Sequence, residues 1–191
     1  MTEVLSVARS ELILGGQKSG KSRRAEMLAR GWMAQSRLHK AVLIATAQAW
    51  DDEMRERISR HQADRAERVP GMRTLEEPLA LSGALMQSCA PDTLVVVDCL
   101  TLWLTNMLMP AGDAQGRPES SQTELLLLAI QKSPGPVVLV GNEIGLGVIP
   151  MGRETRAFVD ALGSLNQAVA AACERVTLMA AGLPLVLKGQ T

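Results

Sequence analysis

Cysteine is scarce in this chain: there are three in 191 residues, Cys89, Cys99 and Cys173, an odd number without metal-ligand spacing. Isolated thiols of this kind exclude a secreted disulfide framework and a cysteine-built zinc site, and they fit a reducing compartment. They read as small buried side chains. Aromatic residues are also few, one Phe and three Trp, which leaves little surface for stacking single-stranded nucleic acid. Charge of one sign is missing as well, because 20 basic residues balance 20 acidic ones. That removes the basic footprint of a nucleic-acid or anionic-membrane partner. No apolar run approaches the length of a membrane span, and Glu3 and Glu11 interrupt the stretch where a leader would be apolar. Repeats, heptads and low-complexity tracts are absent too. The expectation is a cytoplasmic protein with one domain over residues 1–191, since a core is usually buried by about 100 to 200 residues.

What is present is an alternation of strand-length apolar runs with longer stretches of helical period. ELILG (11–15), AVLIAT (41–46), TLVVVD (93–98) and PVVLVGN (136–142) predict buried parallel strands. Helices are expected over 20–36, 51–66 and 152–174, the second with Asp51 and Asp52 as cap candidates and Glu53 in its first turn. In the third, Phe158, Ala161, Leu162, Leu165, Ala168, Val169 and Ala172 fall at three- and four-residue spacing, one face for packing on a sheet. The ending ERVTLMAAGLPLVLK, two apolar runs split by Ala181 and Gly182, suggests an antiparallel pair at the sheet edge. Residues 110–122 read as a surface loop between two helices. The apolar segment 99–108 fits a helix buried against the core or against a neighbour equally well. The fold class is therefore α/β, a mainly parallel sheet with helices on both faces.

The first strand runs into GGQKSGKS, which matches G-x-x-x-x-G-K-[ST] at Gly15, Gly20, Lys21 and Ser22 and opens the first helix. Glycines let backbone N–H groups turn inward around phosphate oxygens, and the new helix directs its positive end at them. Through Gly15, Gly16, Gln17, Lys18, Ser19, Gly20, Lys21 and Ser22 the motif predicts a nucleotide-binding P-loop, RecA-like in its setting. Lys21 reaches the terminal phosphates and the Ser22 hydroxyl ligates Mg2+. TLVVVD ends in Asp98 at the mouth of the sheet, where it could bind the magnesium directly or through water. By itself, a carboxylate at a strand end serves equally as a helix cap.

Only two histidines occur, His39 and His61. Imidazole is largely neutral near pH 7 and can attack phosphorus. Read alone, His61 is a solvated residue on a charged helix. Arg57 and Arg65 stand four residues to either side of it, and two guanidiniums flanking an imidazole would favour phosphate on that face. His39, before a strand, reads as a surface residue. In GNEIGLGVIP, Asn142 and Glu143 precede a turn made by Gly145 and Gly147 at the same sheet edge. Arg153 and Arg156 follow; they could reach a phosphate or simply be solvated.

Together, GGQKSGKS, IATA, DDEMRERISRH with Arg65, RTLEE, VVVDCLTLWLTNML, NEIGLGVIP and LNQAVA resemble, in order and over almost the whole chain, the bifunctional adenosylcobinamide kinase / adenosylcobinamide-phosphate guanylyltransferase family of cobalamin biosynthesis. The resemblance implies two reactions. The terminal phosphate of ATP or GTP passes to the aminopropanol hydroxyl of adenosylcobinamide; GTP then donates GMP through a guanylyl-histidine, giving adenosylcobinamide-GDP. It implies His61 as the nucleophile, with Arg60 where relatives often carry another histidine. It also implies nucleotide contacts from the phosphate loop, Ile44, Ala45, Thr46, Glu76 and Asp98, and a homo-oligomer, a trimer, with the corrinoid between subunits. Ser164 stands where many relatives carry arginine, which bears on a phosphate or subunit contact. A monofunctional small-molecule kinase is the competing enzyme reading. A nucleotide-switched binding module is disfavoured, since no N-K-x-D guanine signature occurs.

Overall fold

A computed structural model of the chain describes residues 6–49, 51–109, 119–147 and 149–190. Its strands are β1 (Ser10–Gly15), β2 (Lys40–Ala45), β3 (Arg73–Glu76), β4 (Thr93–Asp98), β5 (Val137–Val140), β6 (Arg175–Ala180) and β7 (Leu183–Lys188). The helices are α1 (Lys21–Gln35), α2 (Asp52–Arg68), α3 (Leu81–Ser88), α4 (Leu100–Leu108), α5 (Glu119–Lys132) and α6 (Arg153–Ala172). One seven-stranded sheet has the order β3-β2-β4-β5-β1-β6-β7, parallel except for the antiparallel pair β6–β7.

The apolar runs become the sheet's centre because each is buried on both faces. On one face Leu12, Val95, Val97 and Leu139 meet α3, α4, α5 and α6 through Leu85, Trp103, Ile130 and Leu165. On the other, Ile13, Leu43, Val96 and Val138 meet Ala25, Leu28 and Ala29 of α1. The buried stripe of α6 is the expected one, Leu162, Leu165 and Val169, with Phe158 and Ala161 packed against it. Asp51 caps α2, its Oδ1 accepting from Met54 N at 2.7 Å. The closing hairpin turns at Ala181 and Gly182, both with positive φ, 52° and 80°. That pair of angles suits a tight turn that follows the twist of its strands.

Several expectations are corrected. β3 and α3 were not anticipated: β3 is four residues long and exposed throughout, so it carries no apolar period. Of the loop expected over 110–122, residues 119–122 belong to α5, and 110–118 lie outside the described residues. Glu3 also lies outside them. The segment 99–108 is settled in favour of the core, with Leu100, Trp103, Leu104 and Met107 buried. Cys99 and Cys173 are buried but Cys89 is only half-buried. His39 is not a free surface residue: its ring stacks on Trp32 at 3.8 Å between centroids, and its Nδ1 lies 2.9 Å from the Trp32 carbonyl.

Candidate nucleotide site at the carboxyl edge of the sheet

Strand pairing aligns three of the predicted site residues, Ala45, Glu76 and Asp98, in a single row that continues to β1. Ile13 pairs with Val140, Val140 with Asp98, Asp98 with Ala45, and Ala45 with Glu76. β5 thus stands between the phosphate-loop strand and the strand ending in Asp98. Just beyond the row on β1, Gly15 opens the loop. A methyl built on Gly15 would sit 2.5 Å from the Met179 carbonyl oxygen and 2.6 Å from Ser19 Oγ, so no larger residue fits.

The loop is cross-braced. Lys21 Nζ donates to the Gly16 carbonyl at 2.6 Å, and Lys18 takes a positive φ of 56°. Gly182 N, at the tip of the β6–β7 hairpin, donates to Ser19 O at 3.1 Å, and Glu143 N donates to Gly15 O at 3.0 Å. Gly16, Gln17 and Lys18 are exposed, Gly20 and Ser22 half-buried, and Ser19 buried. The Ser19 hydroxyl has no hydrogen-bond partner despite its burial. An orphaned hydroxyl in a glycine-rich loop that opens a helix is a donor that a phosphate oxygen would satisfy.

Asp98 is half-buried at its strand end. The neighbouring Cys99 thiol is pushed up to about 11, first by burial and next by the Asp98 carboxylate, while the Lys21 ammonium acts in the opposite sense. The two opposite charges that the sequence singled out therefore converge on one buried thiol. A hydroxyl and one carboxylate, Ser22 and Asp98, suit magnesium, which keeps most of its water and takes one or two protein oxygens beside phosphate oxygens. Among the described residues no cluster of three or more His, Cys, Asp or Glu could hold a metal by itself.

Other candidates are committed to the protein. Ile44 is fully buried, and Thr46 is buried with its hydroxyl donating to Cys99 O at 2.7 Å and accepting from Cys99 N at 2.9 Å. Asn106 Nδ2 donates to Thr46 O at 2.8 Å and to Pro78 O at 3.1 Å, locking this corner. Asn142 N donates to Thr101 Oγ1, and its carbonyl accepts from Asn166 Nδ2 at 3.0 Å. Glu143 Oε1 accepts from Gly145 N at 2.8 Å, bracing its own turn. Arg156 is spoken for by the carbonyls of Pro150 and Met151; Arg153 and Ser164 are exposed.

His61 and Arg65 do not share an environment as their spacing suggested. His61 is exposed, whereas Arg65 is buried, because each four-residue step rotates about 40° around a helix. Arg65 instead lines a cleft of about 350 Å³ with Gln62, Ala66, Met72, Thr74 and Glu76. Glu76 Oε1 there accepts from Gln62 Nε2 at 3.4 Å. The Arg57 side chain lies outside the described ones. Sequence reasoning missed that the hairpin tip at Gly182 reaches the phosphate loop and that Asn106 clasps Thr46 and Pro78, and nothing local in the chain marks either contact.

A parallel sheet, a glycine-rich loop entering a helix, and an acid at the end of a nearby strand define a P-loop nucleotide-binding α/β protein. The same fold is seen in the flagellar accessory protein FlaH from Methanocaldococcus jannaschii (TM-score 0.56, 12% identity, 97% of this chain and 80% of that one). It is seen also in PH0250 from Pyrococcus horikoshii OT3 (TM-score 0.54, 12% identity, 99% and 90%). The family described as cobinamide kinase / cobinamide phosphate guanyltransferase matches residues 11–187, and the chain belongs to it. It is 50% identical to the bifunctional adenosylcobalamin biosynthesis protein CobP of Pseudomonas aeruginosa, over 94% of this chain and 98% of that protein. The bifunctional adenosylcobalamin biosynthesis proteins CobU of Salmonella typhimurium and Escherichia coli are 35% and 36% identical, each over 93% of this chain and 98% of the relative. No described helix is long and apolar enough to cross a membrane.

Proposed function

We propose that this enzyme phosphorylates adenosylcobinamide from ATP or GTP and then guanylylates the product through a covalent GMP on His61. The observation that carries the nucleotide part is the braced phosphate loop, where the buried Ser19 hydroxyl is unpartnered and Lys21 and Asp98 lie close enough to act on the same thiol. In the kinase half, the aminopropanol hydroxyl attacks the γ-phosphorus, loses its proton, and displaces ADP or GDP. The protein's part is positioning and charge neutralisation by the loop amides and Lys21. Bound through Ser22 and Asp98, Mg2+ would neutralise phosphate charge.

In the second half, an imidazole nitrogen of His61 attacks the α-phosphorus of GTP, forming an N–P bond as the bond to the β-phosphate oxygen breaks and pyrophosphate leaves. A phosphate oxygen of adenosylcobinamide phosphate then attacks the same phosphorus, breaks the N–P bond and restores the imidazole, giving adenosylcobinamide-GDP. Imidazole suits both steps because it is a nucleophile and a fair leaving group at neutral pH. The exposure of His61 on α2 and the cleft that the adjacent Gln62 lines with Arg65 and Glu76 support this role. Ala45, Glu76 and Asp98, in one register row, are the nucleotide contacts this reading favours, and Ile44 and Thr46 serve it by shaping that edge. The enzyme acts in the cytoplasm as a homo-oligomer, a trimer that holds the corrinoid between subunits. The exposed Leu183, Leu185 and Leu187 of edge strand β7 support such an assembly.

The test is incubation with Mg2+ and α-labelled GTP, followed by digestion and mapping of acid-labile label, with His61→Ala as control. Label on His61 that transfers to adenosylcobinamide phosphate is expected. Intact γ-phosphoryl transfer with no label would reduce the enzyme to a corrinoid kinase.

A further inference from the structure

The helix that carries His61 is fastened to the protein at its far end. Between Asp52 and Ala63 no described side chain of α2 is buried; Met54 and Ile58 are half-buried and the others exposed. Burial begins at Arg65 and is completed by Val69, the C-cap, which joins Ala25, Leu28 and Ala29 of α1 in one apolar cluster. At that same end Arg68 Nη1 donates to Glu26 Oε2 at 2.7 Å, and its Nη2 donates to Asp64 Oδ2 at 2.9 Å. Glu26 is 4% exposed and belongs to α1, the helix that the phosphate loop opens. A carboxylate so buried needs a charged partner, which makes the Glu26–Arg68 contact the directional tie between the two helices.

Helix geometry shows what that tie aligns. Both helices leave the carboxyl edge after strands of one parallel sheet, β1 and β2, which β4 and β5 separate, and so run in the same general sense. Glu26 is five residues past Lys21, about 7.5 Å along α1, and Arg68 is seven past His61, about 10.5 Å along α2. Joining Glu26 to Arg68 therefore brings His61 to roughly the level of Lys21, because the two rises differ by only about 3 Å. The return strand agrees, since β3 pairs only with Val42–Ala45 and the chain has no need to descend the full depth of the sheet after α2.

We propose that the Glu26–Arg68 ion pair is the pin that sets His61 at the height of the phosphate loop. Glu26 and Arg68 are then positioning residues for guanylyl transfer and not for phosphoryl transfer. The inference rests on His61 being the nucleophile. Phosphoryl transfer needs only the loop, Lys21 and the Asp98 edge, none of which is carried by α2.

The test compares Glu26→Gln with Asp64→Asn, which cuts the other bond of the same guanidinium but only within α2. Three readouts are taken: labelling of His61 by α-labelled GTP at saturation, phosphoryl transfer to adenosylcobinamide from γ-labelled nucleotide, and hydrogen exchange of the 52–64 amides. Glu26→Gln is expected to slow labelling by about tenfold or more, as loss of a near-attack geometry does, with phosphoryl transfer within about twofold. Exchange over 52–64 rises about fivefold as the helix loosens, while the amides of α1 stay protected. Asp64→Asn leaves all three within about twofold, and the swap Glu26→Lys with Arg68→Glu recovers labelling, because the inter-helix pair is rebuilt. Glu26→Gln labelling at the parental rate, or losing both half-reactions equally, overturns the pin. Failure of the unmodified enzyme to label His61 overturns the nucleophile reading instead; unchanged exchange over 52–64 in Glu26→Gln then overturns the pin on its own.

Discussion

Substituting Gly15 by alanine should open the phosphate loop, and its cost can be worked from contacts. The new methyl would lie 2.5 Å from the Met179 carbonyl oxygen and 2.6 Å from Ser19 Oγ. The carbonyl cannot retreat, because Gly15 pairs with Met179 and the neighbouring Leu14 with Leu178 in the β1–β6 ladder. Ser19 and the loop must move instead. The backbone is also unsuited to a side chain, with φ at 152°. Taking about 2 kcal/mol for overfilling and about 2 for the strained backbone, the thermal midpoint falls by about 8–16 °C in a chain of this size. If Ser19 donates to a phosphate as proposed, displacing it removes at least one hydrogen bond to a charged group, worth about 1.5–3 kcal/mol, so affinity for Mg-GTP measured by calorimetry falls about 10- to 100-fold. Gly16→Ala is the control for stability: a methyl there meets nothing within 4 Å, and its midpoint should stay within about 2 °C. A Gly15→Ala enzyme that binds Mg-GTP within about twofold of the parent would refute the reasoning.

Other outcomes follow from single contacts. Glu11 is fully buried between Arg24 at 3.0 Å and Arg175 at 3.4 Å, with Thr177 Oγ1 donating to it at 2.8 Å. Glu11→Ala strands two guanidiniums in the interior and should cost about 3–5 kcal/mol in urea unfolding. Burial pushes Cys99 up to about 11 and Cys173 up to about 12, so both remain thiols at pH 8, and a disulfide reagent should titrate only Cys89 quickly in the native protein. Because the folded state holds these two protons more tightly than the unfolded chain, their contribution to stability is complete below pH 9, the ordinary thiol value, and is lost as pH rises through about 11 and about 12. Chemical denaturation midpoints measured across that range should fall accordingly. Gly31 lies inside α1 with open space at its Cβ, so Gly31→Ala should raise stability by about 0.5–1 kcal/mol in the same assay.

The parts legible in the sequence were those with a strong local signature. Strands that are buried on both faces are continuous apolar runs, so β1, β2, β4 and β5 were found with ends displaced by at most two residues. The closing hairpin was marked by Ala181 and Gly182 between apolar runs, and α2 by Asp51 at its cap. The edge strand Arg73–Glu76 left no such trace, because pairing on one side and exposure on both faces require no pattern. His39 and Arg65 were misplaced for a related reason. Each owes its burial to a residue that chain spacing does not reveal as a neighbour, Trp32 for the first and the Met72–Glu76 segment for the second.

Within the candidate site, the chain by itself specified the phosphate loop and the acid at the end of β4, since glycine, lysine and serine at those spacings answer to backbone geometry and phosphate charge. Tertiary structure decided what those residues face. Inserting β5 between β1 and β4 separates Gly15 from Asp98 by one strand, and register alone brings Glu76, Ala45 and Asp98 into one row. Only folding could decide that Glu26 would meet Arg68, 42 residues away. Hydrophobic period reports how deeply each residue is buried, but which buried charge finds which partner depends on strand order and helix register, and these are properties of the whole chain.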